Sequence, residues 1–221
     1  MRARAGDPTA LLSEDRARAL ALTPVAPEVA ARLDRFVTLL CEWQERVNLI
    51  AASTVPEIWT RHIADSLQLL ALAPQAKRWA DLGSGGGFPG IPIACALAGL
   101  PGAHVDLVES VGKKAAFLQE AVRVLELPAL VRHQRIADFV AVCGAKPPDV
   151  VTARALAPVN RLLTEAAPLI AKGATGLFLK GQDIEAELKE ASIYWEMRYR
   201  LVPSRTSPGG RIVVIDHAKR R

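Results

Sequence analysis

The stretch DLGSGGGFPGIP, Asp81 to Pro92, holds five glycines and two prolines within twelve residues. The run before it, RWADL (Arg78–Leu82), reads as a short buried strand, and the run after it, Gly90–Ala98, as a helix. A strand that passes through a glycine turn into a helix is the first unit of a parallel α/β sheet. Ligands of such sheets sit beyond the carboxyl ends of the strands. Downstream, strands are predicted near Val105–Glu109, Ala129–His133, Asp149–Ala153, Gly176–Lys180 and Arg211–Asp216. Helices are predicted near Lys113–Leu125, Val159–Ile170 and Ile184–Ala191. This alternation builds a mostly parallel sheet with helices on both faces. Tyr194–Val202 reads as a further strand, and the short SRTSPGG link suits an antiparallel pairing with the last one.

Upstream of the sheet the pattern is helical. One helix is expected over Thr9–Leu22 and a second from Pro27 to near Arg46, with Leu33, Phe36, Leu39, Leu40 and Trp43 on one face. A third is expected over Val55–Leu72. The chain thus divides into a helical cap (1–73) and an α/β core (74–221), which form one compact unit. Cys41, Cys95 and Cys143 are odd in number, far apart and without a CxxC pair. They point to neither a zinc site nor a disulfide framework, and no metal is expected. The start, MRARAGDPTA, is basic but has no apolar run behind it, and no stretch approaches the length of a membrane span. A cytoplasmic monomer away from membranes is expected. The net charge is +5, and from Arg198 onward seven bases face one acid, Asp216. That suits a nucleic-acid partner, although a solvated basic tail has the same composition.

Which nucleotide the loop holds follows from its flanks. A phosphate-loop NTPase requires GK[ST], and no such triplet occurs. Gly85 to Gly90 fits GxGxxG, the dinucleotide pattern. Against NAD, Pro89 offers no N–H to a pyrophosphate, and Asp81 before the loop would repel one. A carboxylate there suits the ammonium and sulfonium of S-adenosylmethionine. Glu109 ends the next strand, 19 residues after Gly90 (109 − 90). An acid at that position accepts ribose hydroxyls in either cofactor, or it caps the next helix. An NAD(P)-dependent oxidoreductase and a non-catalytic RNA-binding assembly factor stand as alternatives.

DLGSGGGFPGIP followed by ESVGKKAAFL resembles the bacterial ribosomal RNA small subunit methyltransferase G family, also called glucose-inhibited division protein B. VNLIA (Val47–Ala51), RHIADSL (Arg61–Leu67), TARALAP (Thr152–Pro158) and FLKG (Phe178–Gly181) match in the same order. The resemblance implies a class I, Rossmann-like methyltransferase fold and S-adenosylmethionine as cofactor, with S-adenosylhomocysteine as product. It further implies methylation of N7 of guanine 527, in the 530 loop of 16S ribosomal RNA. The partner would be that RNA, whether free, in the small subunit or in a precursor. Gly83 and Phe88 match loop positions that contact the cofactor, and Ile136 and Ala137 match the pair beside its adenine. Arg154 matches an arginine that lines the cofactor pocket. The family often has an acid where Ala137 stands; Asp138 follows it here.

Guanine N7 carries a lone pair and no proton, so attack on a sulfonium methyl calls for positioning rather than a base. The four histidines, His62, His104, His133 and His217, form no cluster in the sequence. To Asp81, Gly85 and Glu109 the resemblance adds Gly83, Phe88, Ile136, Ala137 and Arg154 as the implied cofactor set. Arg154 and Asn48 are the catalytic candidates: an arginine can hold guanine O6 or a phosphate. Asn48 alternatively satisfies backbone at a helix end. For RNA, the candidates are Arg61, His62, Lys113, Lys114, Arg135 and Lys180. His62 also reads as a packing residue, and Asp65 as an i,i+4 partner of Arg61. Lys113 and Lys114 open a helix, where cations oppose the macrodipole, so folding alone does not explain them.

Overall fold

The computed structural model describes residues 8–143 and 147–221. Most of the basic start, residues 1–7, lies outside them. The elements in chain order are α1 (Pro8–Leu22), α2 (Pro27–Gln44), an irregular helical segment, β1 (Arg78–Leu82), α4 (Gly90–Leu97), β2 (His104–Glu109), α5 (Gly112–Val124) and β3 (Ala129–His133). They continue with α6 (Ile136–Val142), β4 (Val150–Arg154), α7 (Val159–Ile170), β5 (Thr175–Lys180), α8 (Ile184–Tyr194), β6 (Trp195–Pro203) and β7 (Arg211–Arg220). The sheet order is β3-β2-β1-β4-β5-β7-β6. The first five strands pair in parallel. β7 runs antiparallel to both β5 and β6, as the short link between the last strands suggested.

Residues alternate between two cores because strand side chains alternate between two faces. Trp79, Val105, Leu107, Val150 and Leu177 belong to one core, together with Leu33, Phe36 and Leu40 of α2, Ile91 of α4 and Phe117 of α5. Ala80, Leu82, Val108, Val151 and Phe178 face the other, beneath Phe139 of α6, Leu163 of α7 and Leu188 of α8. The cap therefore shares its hydrophobic core with one face of the sheet. Leu33 and Phe36 are fully buried, and each such side chain contributes roughly 1.5–3 kcal/mol relative to exposure.

The helix expected over Val55–Leu72 is not one helix. It is a 3-10 segment (Ala52–Glu57), a π turn (Trp59–Ala64), a single α turn, α3 (Asp65–Leu67), and another 3-10 segment (Gln68–Leu72). Tertiary partners draw its backbone groups out of a regular ladder. Buried Asp15 of α1 accepts from the N–H groups of Trp59 and Thr60 at 2.8 and 3.2 Å. Arg154 donates to the Arg61 carbonyl at 2.9 Å. Asp15 thus satisfies the first N–H groups of the π turn, a feature frequent at functional sites.

Candidate active site

The chain leaves β1 toward β2 and β3, then returns to place β4 on the other side of β1. The carboxyl ends of β1 and β4 are thus the switch point where an open sheet binds its ligand. Gly83 turns the chain there at φ +71°, a conformation that favours glycine. The N–H groups of Gly83 and Ser84 both donate to the Val108 carbonyl, at 2.9 and 3.0 Å. Glu109, at the tip of β2, accepts from Gly85 N–H at 2.9 Å and Val111 N–H at 2.7 Å. One acid therefore both holds the glycine loop and ties down Val111, the residue that precedes α5. Each of its oxygens has a second lone pair available to a hydroxyl donor.

Asp81 is buried. Its carboxylate accepts from Gly90 N–H at 3.1 Å and from the Thr152 hydroxyl at 3.1 Å. Burial pushes its pKa up to about 6 against those hydrogen bonds. Through those bonds Asp81 ties the loop to α4 and β4. Phe88 is turned inward. Its ring packs against Phe36 of α2 at 5.4 Å and His62 at 4.8 Å, with the Arg154 guanidinium 5.5 Å above it.

The cap rests directly on the loop. A Cβ on Gly86 would lie 2.8 Å from the Leu49 carbonyl oxygen, so only glycine permits this approach. Gln44 shapes the cap here: its side chain accepts from Leu49 and Ile50 N–H and donates to the Ile50 carbonyl, at 2.8–3.0 Å. Asn48 lies exposed in this turn, outside the set of residues that line the cleft beside Arg154.

That cleft, about 760 Å³, opens beside the carboxyl ends of β4 and β5. Arg154 forms its inner wall and clasps core to cap. It donates to the Arg61 carbonyl and to His62 Nδ1, and its Nη1 is 3.6 Å from Asp65 Oδ2. An arginine only donates, so His62 Nδ1 is the acceptor and Nε2–H donates to Thr54 Oγ1 at 2.8 Å. Burial, with Arg154 and Arg61 nearby, lowers the His62 pKa to about 3, which keeps the ring neutral. Burial also pushes the Arg154 guanidinium down, while Asp65 and Asp81 push it back up.

Two charge pairings differ from the sequence reading. Asp65 does not pair with Arg61. It accepts from Thr206 Oγ1 at 2.6 Å and Gln68 Nε2 at 2.8 Å, and Gln68 in turn accepts from Arg205 N–H at 2.9 Å. Arg61 instead reaches Glu57 at 3.8 Å. Lys180 is not a free cation on the rim. Its ammonium donates to the Ala157 carbonyl and to Glu187, each at 2.6 Å, deep in the cleft wall. Glu187 also accepts from Val159 N–H at 2.9 Å, fixing the loop after β4.

The remaining candidates spread along the same edge. Lys113 and Arg135 are exposed and Lys114 is half-buried, at the starts of α5 and α6 on the β2–β3 side. Arg61 and Arg211 border the cleft on the other side. Ile136 is half-buried and Ala137 exposed in the first turn of α6, a short helix absent from the sequence reading. Exposed Val111 and Leu156 flank Glu109 and Gly83; Leu156 Cδ1 would lie 2.6 Å from a Cβ on Gly83. The open side of the loop thus joins an acid to apolar walls, a combination that fits an adenosine. Asp65, Gln68, Gln44 and the Ser204–Gly210 link were not identified as site residues from sequence. The RHIADSL match marked Asp65, but not its partners.

Residues 29–208 match the family model described as rRNA small subunit methyltransferase G. A protein of Nitrobacter hamburgensis named ribosomal RNA small subunit methyltransferase G is 59% identical over 211 residues, covering 96% of this chain and 81% of its own length. A namesake from a Bradyrhizobium species is 57% identical over 210 residues, covering 95% of this chain and 94% of its own. Among solved structures, a putative O-methyltransferase from Klebsiella pneumoniae aligns with a TM-score of 0.60 at 14% identity, covering 95% of this chain and 99% of that one. An O-methyltransferase from Bacillus cereus, solved in complex with S-adenosylhomocysteine, aligns with a TM-score of 0.59 at 14% identity, covering 95% and 99%. The fold is therefore that of class I methyltransferases. With the family model covering most of its length and close relatives aligned nearly end to end, the chain belongs to the rRNA small subunit methyltransferase G family.

Proposed function

We propose that this protein transfers a methyl group from S-adenosylmethionine to N7 of guanine 527 in the 530 loop of 16S ribosomal RNA. Family membership supports ribosomal RNA methylation. One observation carries the site assignment: a glycine loop held by Glu109 and walled by apolar side chains opens beside a cleft containing Arg154 and Asp65. The cofactor, when bound, supplies an electrophilic methyl group.

The chain's own residues then position the reactants. Gly83 to Gly87 bring main chain against the cofactor, and the spare lone pairs of Glu109 receive its ribose hydroxyls. Val111, Leu156 and the Ile136–Ala137 turn exclude water from the adenine. Guanine N7 needs no proton removed, so no residue must act as a base at that atom. Arg154 holds the cap residues Arg61, His62 and Asp65 over the cleft, and Asn48 precedes Leu49, whose carbonyl lies against Gly86. Arg61, Lys113, Lys114 and Arg135 offer charge to RNA phosphates, whereas His62 and Lys180 act from within by holding the site's shape. The substrate is the small subunit or a precursor of it.

The test uses small subunits from cells lacking this methyltransferase, the purified protein and labelled S-adenosylmethionine. Label is expected at one guanine of the 530 loop, with the strand cleavage that N7-methylguanine undergoes after reduction and aniline treatment. Label elsewhere, or none on any subunit or precursor, overturns the reading.

A further inference from the structure

Asp65 has two oxygens in different circumstances. Oδ1 is saturated: it accepts from Gln68 Nε2 at 2.8 Å, Thr206 Oγ1 at 2.6 Å and Ser204 Oγ at 3.4 Å. Oδ2 accepts no hydrogen bond among the described residues; its nearest cation is Arg154 Nη1, at 3.6 Å. The side chain keeps 18% of its exposure and lines the cleft. A carboxylate anchored through one oxygen thus presents the other, beside an arginine, to whatever enters. Its neighbours fix it there, since Gln68 also ties the Ser204–Thr206 link by accepting from Arg205 N–H.

This pairing selects among bases. The outer edge of guanine offers the O6 acceptor next to the N1–H and N2–H donors. Adenine offers a donor and then the bare N1 acceptor, which a carboxylate repels. Uracil offers one donor between two acceptors, and cytosine none at N3. Donors beside a positive charge suit O6, and a carboxylate oxygen suits N1–H and N2–H. Contacts on that edge leave N7, on the opposite side of O6, open to the methyl group.

We infer that Asp65 is a specificity-determining residue, whose Oδ2 reads the N1–H and N2–H edge of the target guanine. This rests on the guanine-N7 reading above. A site that hydrogen-bonds a substrate donor rejects analogues lacking it, because its own polar group is then left unpaired.

The experiment compares reconstituted small subunits carrying guanine or adenine at the methylated position. Wild-type protein, D65N and T206V are assayed for kcat/KM, and melting confirms that each is folded. Asp65→Asn keeps an oxygen for the Thr206 and Ser204 hydroxyls but can turn an N–H₂ toward the cleft. It is expected to lower kcat/KM on guanine by about a hundredfold and to narrow the guanine-over-adenine ratio at least tenfold. Thr206→Val loosens only the Oδ1 side and should leave that ratio unchanged. If D65N lowers both substrates by one factor, Asp65 merely anchors the Ser204–Thr206 link, and the inference falls. If T206V narrows the ratio as far as D65N does, the selectivity belongs to the link and the inference also falls. If the wild-type protein modifies neither base at N7, the guanine reading itself fails in that arm, independently of the variants.

Discussion

Two buried residues of the site respond to pH in opposite senses. Asp81 titrates near 6 in the folded protein, above its ordinary value of 3.8, because burial disfavours the carboxylate. The folded state therefore gains stability as pH falls from about 6 toward 3.8, and carries the cost of the buried charge above that window. Asp81→Asn removes the charge and should stabilise the protein at pH 8 by roughly 1–3 kcal/mol in urea denaturation, with the advantage shrinking below pH 6. His62 is held neutral down to about 3, below its ordinary 6.5. Its unfolded form takes up a proton that the folded form refuses, so stability is lost as pH falls below 6.5. His62→Asn offers an oxygen near the place of Nδ1 to Arg154, and should flatten the fall in stability between pH 7 and 4. A slope equal to that of the wild type would show that His62 stays neutral in neither state. Asp81 and Glu109 stand out in the sequence because they lie at or next to strand ends beside a glycine loop. Their hydrogen-bond partners do not: Thr152 is 71 residues from Asp81.

At the scale of elements, the joint between cap and loop is main chain against main chain. Gly86 lies under the Leu49 carbonyl, and the turn holding Leu49 is shaped by Gln44. Gly86→Ala forces backbone apart, which no side-chain rotation relieves. It should cost about 1–3 kcal/mol and speed amide exchange at Leu49 and Ile50; unchanged exchange there would show that the turn yields without loosening. The strands were readable, to within a residue or two at most ends, because each is a buried run between turns. The third helix of the cap was misread as continuous. Asp15 and Arg154, 44 and 93 residues away from the backbone groups they bind, reshape it. The seven-residue α6 is too short to show a helical period.

At the scale of the molecule, the cap and one sheet face share a single core. Cap and sheet should therefore unfold in one calorimetric transition, with calorimetric and van't Hoff enthalpies equal; two transitions would mean that the cap folds as a separate domain. Charge is also distributed at this scale. Lys113, Lys114 and Arg135 lie on the β2–β3 side of the carboxyl edge, while Arg61 and Arg211 border the cleft on the other. The double variant Lys113→Ala, Lys114→Ala should reduce the slope of log affinity against log salt, for small-subunit RNA, by roughly 1–2. An unchanged slope would remove both lysines from the RNA surface. The sequence by itself determined the α/β architecture, the switch-point loop and the acid of the second strand. Periodicity, turn residues and motif spacing act over short windows, and a single chain displays them directly. Only the tertiary structure decided which charges remain free. Arg154 is engaged by the cap, Lys180 by Glu187, and Asp65 by the Ser204–Thr206 link through one oxygen alone. Ion pairs join residues far apart in the chain, and the three-dimensional fold sets which of them meet. DLGSGGGFPGIP thus marks the switch-point loop, and the clasp that Arg154 makes with the cap shapes the cleft beside it.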